Sequence, residues 1–267
     1  LLLAFSALLP QNNIVTSDRG LTLLSYVVMS NSNFDRYSES YSMHMAKSLR
    51  IGGEESDYYI RYKILDVKRY AAPSLESDTT QPLQILDFGA GTGSAIPHWC
   101  SIFANAKLTC CDVSRQSLEY ARSRHGGDIT YTHTGETNLP FQTSSFDLVY
   151  AACVFHHISE SQHPLVMQEL WRVLKPGGAL MVYEHNPLNP LTQYVVRSCP
   201  FDEDAVLIWP SVMMNLLKSS GFSERTTCYR IFFPKLLRRL RWLEDWLGWL
   251  PLGAQYFSLG WKSTGTG

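Results

Sequence analysis

An excess of charge is the first thing this chain of 267 residues lacks: 23 Lys and Arg stand against 24 Asp and Glu, for a formal net charge of -1. Proteins that hold nucleic acid carry a basic field, so no nucleic-acid partner is expected. Paired cysteine spacing is also missing. Cys100, Cys110, Cys111, Cys153, Cys199 and Cys228 include no C-x-x-C, and several fall inside apolar runs, where a free thiol acts as a small hydrophobe. That usage speaks against a disulfide scaffold and for a reducing, cytoplasmic setting. No apolar run reaches the ~20 residues that span a bilayer. The opening "LLLAFSALLPQNN" has no basic flank ahead of it, as a secretory signal would. The first methionine is Met29, so residues 1–33 are expected to be a leader or an upstream extension with little fixed structure. Internal repeats and low-complexity tracts are missing too.

What is present is a core-sized supply of apolar residues, 45% of the chain, and an ordered alternation. Residues 34–82 are rich in Tyr, Ser and charge, and "DYYIRYKILDVKRY" carries Ile60, Ile64 and Val67 at helical spacing. A helical cap or lid is expected there, with "AAPSLESDTTQP" as a linker. From residue 83 onward strands and helices alternate. "LQILDFG", "AKLTCCDVS", "DITYTHTG", "SFDLVYAACV" and "ALMVYEHN" read as strands, "SAIPHWCSIF", "RQSLEYARSRH" and "PLVMQELWRVL" as helices, and "KPGG" as a turn. Such βαβ units imply a parallel sheet covered on both faces. Four prolines make about 187–210 look like an irregular insertion; "SVMMNLLKSSGF" then reads as a helix, and "RTTCYRIFF" and "QYFSLGWK" as two more strands.

The first strand ends in "LDFGAGTG". Glycine lets a backbone turn tightly and approach a ligand without a Cβ in the way. Dinucleotide folds use G-x-G-x-x-G, but counting six positions from Gly89 or Gly91 reaches Ser94 or Ile96. The pattern here is D-x-G-x-G-x-G, with Asp112 closing the next strand, where an acid can accept both hydroxyls of a ribose.

On these residues, together with "GETNLPFQTSSFDLV" and "LWRVLKPGGAL", the chain resembles the class I S-adenosylmethionine-dependent methyltransferases, closely over residues 83–185. The overall layout is similar to that of the ubiquinone and menaquinone C-methyltransferases. The resemblance implies a Rossmann-like α/β fold: a seven-stranded, mostly parallel sheet, last strand antiparallel, helices on both faces. It implies S-adenosylmethionine as cofactor and S-adenosylhomocysteine as product. Gly89, Ala90, Gly91 and Gly93 would pack on the methionine portion and Asp87 would help hold its amino end. Asp112 would take the ribose and Val113 would lie against the adenine. Glu136 and Thr137 stand where the family usually has Asp-Ala after glycine, and Ala152 closes the fourth strand beside them. A nicotinamide-dependent oxidoreductase is the alternative enzyme; a membrane-surface module with a non-catalytic cofactor pocket is the alternative binding protein.

A methyl on a sulfonium is already activated, so the protein mainly aligns the acceptor and excludes water. A base is needed where the acceptor must lose a proton. Candidates follow the fourth and fifth strands: His156 in "CVFHHIS", and Glu184 and His185 in "YEHNP". Tyr37, four residues before Tyr41, is a candidate lid aromatic. A packing role for each is the plain alternative. A zinc site from His156, His157, His163 and His185 has no H-E-x-x-H or cysteine pairing behind it, and no metal is expected. The acceptor is read as a small or lipid-like molecule, oxygen favoured, nitrogen or carbon open.

The tail segment "PKLLRRLRWLEDWLGWL" places Leu236, Leu240, Leu243, Leu247 and Leu250 on one helical line, with tryptophans beside it and Lys235, Arg238, Arg239 and Arg241 near its start. An amphipathic helix over about 235–250 can pack on the sheet, cover an apolar substrate, join two subunits or touch a membrane peripherally. Either a monomer or a homodimer is compatible with the sequence.

Overall fold

The computed structural model describes residues 54–76, 81–198 and 205–264. The expected leader and Tyr37 lie outside them.

Seven strands form one sheet in the order β3-β2-β1-β4-β5-β7-β6: β1 (Gln84–Phe88), β2 (Lys107–Asp112), β3 (Ile129–His133), β4 (Phe146–Ala152), β5 (Leu174–His185), β6 (Phe222–Arg230) and β7 (Gln255–Lys262). The first five pair in parallel, and β7 runs antiparallel between β5 and β6. This is the expected seven-stranded, mostly parallel sheet with its last strand antiparallel.

Strands in such a sheet are covered on both faces and so read as nearly continuous apolar runs. Alternate residues divide between two cores. Ile85, Leu108, Cys110, Leu148, Met181 and Phe257 meet Trp99, Ile64 and Val67 on one face. Leu86, Cys111, Val149, Leu180, Val182 and Tyr256 meet Met167, Leu170, Met213 and Leu217 on the other. The first face is roofed by α1 (Ser56–Tyr70) and α3 (Ile96–Ile102), the second by α5 (His163–Val173) and α7 (Pro210–Ser219). A further helix, α4 (Arg115–His125), links β2 to β3; Ser114 caps it by accepting from Ser117 N at 3.1 Å.

Helix α1 is tied to the sheet by a buried ion pair. Arg230 donates to both oxygens of Asp66 at 2.8 and 2.7 Å, and Tyr183 also donates to Asp66. Burial pushes the Asp66 carboxyl up, against the pull of Arg230 and the Tyr183 hydroxyl.

Four local expectations are corrected. The "AAPSLE" linker is helical as α2 (Ala72–Glu76). "KPGG" falls inside β5 as its irregular start: Leu174 pairs with Phe146 and Ala179 with Leu148, and the four residues lie at the register shift between them. The proline-rich insertion holds α6 (Pro190–Ser198). Its start is capped by Asn189, whose Oδ1 accepts from Leu191 N and Thr192 N at 3.0 Å each. Finally, 235–250 is not one helix. It is a 3-10 run, Lys235–Leu243, interrupted at Leu237, followed by the short α8 (Glu244–Leu247). Tertiary bonds override the periodic pattern: Glu244 accepts from Phe232 N and Phe233 N at 3.1 and 3.2 Å, and Arg241 donates to Phe233 O at 3.2 Å.

Candidate active site

Strand order reverses between β1 and β4, and in open α/β sheets ligands bind beyond the strand ends at that point. The loop there is Gly89–Gly93. Gly89 and Gly91 sit at φ +74 and +52, a region L-residues rarely enter. Gly89 N and Ala90 N both donate to Cys111 O, at 2.9 and 3.0 Å. A Cβ on Gly89 would lie 2.4 Å from the Val154 Cγ2, whereas one on Gly91 would meet nothing within 4 Å. The loop is therefore packed underneath and bare above.

Two acids flank it. Asp112 braces the turn: Oδ2 accepts from Gly91 N at 2.7 Å and Oδ1 from Ser114 N at 2.8 Å. Each oxygen of a carboxylate has about two acceptor positions, so capacity remains for a ligand's hydroxyls. Asp87 is buried and accepts from Trp99 Nε1 at 3.0 Å. Burial pushes it up to about 7, with the Asp112 charge adding and the indole bond opposing. Val113 is half-buried, and its carbonyl lies 3.0 Å from His133 Nε2. Glu136 is exposed and accepts from Gln162 Nε2 at 3.0 Å, while Thr137 and Ala152 are half-buried.

Past β4 and β5 lies a second polar group. Glu184 is fully buried. Its Oε1 accepts from Val154 N and Phe155 N at 3.2 and 2.9 Å, and its Oε2 pairs with His156 Nδ1 at 2.6 Å. Burial alone would raise this carboxyl; His156, His185 and the Phe155 N–H outweigh it and hold it below the usual range. His156 lies against His185 with the rings tilted and their centroids 5.3 Å apart. The half-buried His185 has the Gln255 amide 3.3 Å from Nδ1. The exposed His157 packs on His156. His163 instead turns its Nε2 to Phe155 O and Ile158 O, 3.0 Å each. Among the described residues no group of three potential ligands is placed to hold a metal ion.

Three residues here were not singled out from sequence. Cys153 follows β4 at φ +58, with Sγ 3.4 Å from Lys63 Nζ and 3.5 Å from Gln255 Nε2. Burial would raise its thiol, but Lys63 and then His185 bring it down to about 6. A signal did exist: Lys63 falls on the apolar line of α1 beside Ile60, Ile64 and Val67, and a buried cation on such a line asks for a partner.

Residues 85–178 match the family model of a methyltransferase domain. Over 113 residues the chain is 35% identical to a demethylmenaquinone methyltransferase of Clavibacter sepedonicus, an overlap of 41% of this chain and 44% of that one. It is 29% identical over 145 residues to the O-methyltransferase cnsE of Penicillium expansum, 52% and 51% of the two lengths. The chain thus spans about half the length of these relatives. Phosphoethanolamine N-methyltransferase 2 of Haemonchus contortus, solved with S-adenosyl-L-methionine, superposes with a TM-score of 0.61 at 17% identity, over 89% of this chain and 61% of that one. At that identity the likeness is one of fold.

Proposed function

We propose, from the premise that residues 85–178 are a class I S-adenosylmethionine-dependent methyltransferase domain, that this chain is an enzyme moving a methyl group from S-adenosylmethionine to a small or lipid-like acceptor. The observation that carries it is the bare loop over Gly91, braced by Asp112, with a buried acid beneath. The residues fit this cofactor chemically. Its amino acid end carries an ammonium, and Asp87 is a buried carboxylate whose side-chain donor is one neutral indole. Its ribose offers two hydroxyls, and Asp112 has acceptor capacity for them. A phosphate-bearing nucleotide would instead bring negative charge to two acids.

When bound, S-adenosylmethionine supplies a methyl group activated by its own sulfonium charge. The chain's work is then to align an acceptor and take its proton. In this reading His185 takes it. The Gln255 amide nitrogen lies 3.3 Å from its Nδ1 and orients the ring. Glu184, with both oxygens engaged, and His156, clamped to it, position the strand end. An oxygen acceptor is favoured, and Lys63 lies close by to stabilise an oxyanion as it forms. Relatives named as an O-methyltransferase and a demethylmenaquinone methyltransferase support hydroxyl-bearing acceptors. The same base would serve a carbon made nucleophilic by a neighbouring hydroxyl.

Calorimetry with S-adenosylmethionine and NAD tests the first half: binding of the former alone is expected, and binding of NAD alone overturns the proposal. Labelled cofactor with a panel of phenolic and quinol acceptors tests the second. His185→Ala should then cut turnover by roughly 10²–10⁴-fold while cofactor affinity stays within about twofold of wild type. Wild-type turnover would remove His185 from the chemistry.

A further inference from the structure

The β6–β7 connection leaves the sheet at the edge that holds the site. β5 and β6 both run antiparallel to β7, and their last residues, His185 and Arg230, both pair with Gln255. The segment between Arg230 and Gln255 therefore lies along the carboxyl ends of the strands.

One side of that segment is pinned to the body. Glu244 is buried, holding the Phe232 and Phe233 N–H groups and accepting from Tyr62. Asp245 pairs with Arg69. Arg241 donates to Glu54 at 2.9 Å and lies over the Tyr58 ring at 4.5 Å. Tyr229 N donates to Gly248 O at 2.7 Å. The other side is open, although its residues are apolar: Leu236 is 93% exposed, and Trp242, Trp246 and Trp249 are 66%, 75% and 75% exposed. Lys235, Arg238 and Arg239 are exposed among them and make no ion pair with a described residue. Of the segment's acids, Glu244 is buried underneath and Asp245 is paired with Arg69 at the surface.

Large apolar side chains massed on a held surface mark an interaction site. Unpaired cations set among tryptophans fit an anionic surface that has an apolar layer under charged heads. Tryptophan favours that boundary because its ring is apolar and its N–H polar. A second copy of this face would set cation against cation, and nucleic acid would leave the leucines without a partner.

We propose that residues 235–252 rest on anionic phospholipid, tryptophans and leucines at the acyl boundary and Lys235, Arg238 and Arg239 among the phosphates. This rests on the reading that the acceptor is lipid-like: the sheet edge bearing the site then faces the layer in which such an acceptor dissolves. Among the described residues no helix is long and apolar enough to cross a membrane, so the contact is peripheral.

Flotation of the full chain with vesicles of phosphatidylcholine, with and without a third of phosphatidylserine, tests it. Binding should need phosphatidylserine and weaken with salt. Arg238→Ala with Arg239→Ala should lower it about thirtyfold, at ~1 kcal/mol per cation. Trp242→Ala with Trp246→Ala and Trp249→Ala should lower it at least as far. Cofactor affinity should be unchanged in both, which also shows that they fold. Equal binding to neutral vesicles, or variants that float like wild type, overturns the proposal; so does a dimer in solution that the tryptophan variant splits. Vesicle binding without cofactor binding would sink the methyltransferase reading and leave the surface standing. Cofactor binding without vesicle binding would do the reverse.

Discussion

Asp87 is an acid held where its charge is unwelcome. In the free protein it titrates near 7 because burial disfavours the carboxylate. Its folded value is raised above 3.8, so it favours the folded state at low pH and loses that contribution as pH rises from about 4 to 7. A bound ammonium reverses the preference. Cofactor affinity measured by calorimetry should fall as pH drops below 7, by up to about tenfold per unit. Asp87→Asn should bind more weakly at neutral pH, show a flat profile, and lose no stability without cofactor. A wild-type profile that is already flat would contradict the assignment. Cys153 makes the complementary case, a thiol drawn down to about 6 by Lys63 and His185 against the effect of burial. The difference in thiolate absorbance between wild type and Cys153→Ser should therefore titrate near pH 6. Lys63→Met should move it toward the ordinary thiol range, and a wild-type midpoint above 8 would contradict the geometry.

At the scale of elements, the parts legible in the sequence are those that the chain makes from neighbours. Asp87 lies near the end of β1 just ahead of the glycine loop, and Asp112 ends the next strand, so spacing alone places them together. The Lys63–Cys153–Gln255 group was not legible, because three distant segments meet only when α1 docks and β7 inserts between β5 and β6. The helix α6 was legible in principle. "NPLT" offers an Asn cap followed by Pro at the first helical position, and the count of prolines hid it. The segment over 235–250 did not keep the expected single helix, because Arg241 and Glu244 take partners on other elements. The docking of α1 depends most on one buried pair. Arg230→Met would leave Asp66 unpaired and should cost about 3–5 kcal/mol in urea denaturation. Adding Asp66→Asn should recover much of that, and no recovery would show that packing, not charge, dominates.

Over the whole molecule, the site is assembled from the ends of four adjacent strands, and each core face contributes. Odd-numbered positions of β1 put Asp87 against Trp99 on one face, while Glu184 anchors His156 from the other. A ligand at the switch point therefore braces both layers. At one hundred times its dissociation constant, S-adenosylmethionine should add about 2.7 kcal/mol, raising Tm by roughly 5–10 °C for a domain of this size. S-adenosylhomocysteine should act similarly, and NAD should leave the melting curve in place.

The Glu184 clamp has one more effect on the loop above it. A fully enclosed acid accepts from the amide of Val154, and the methyls of Val154 fill the hollow under Gly89, so a push on that valine reaches the clamp. Any side chain grafted at position 89 would transmit its push through Val154 to the imidazole of His156, so a crowding defect at the nucleoside end would register as a misaligned acceptor end.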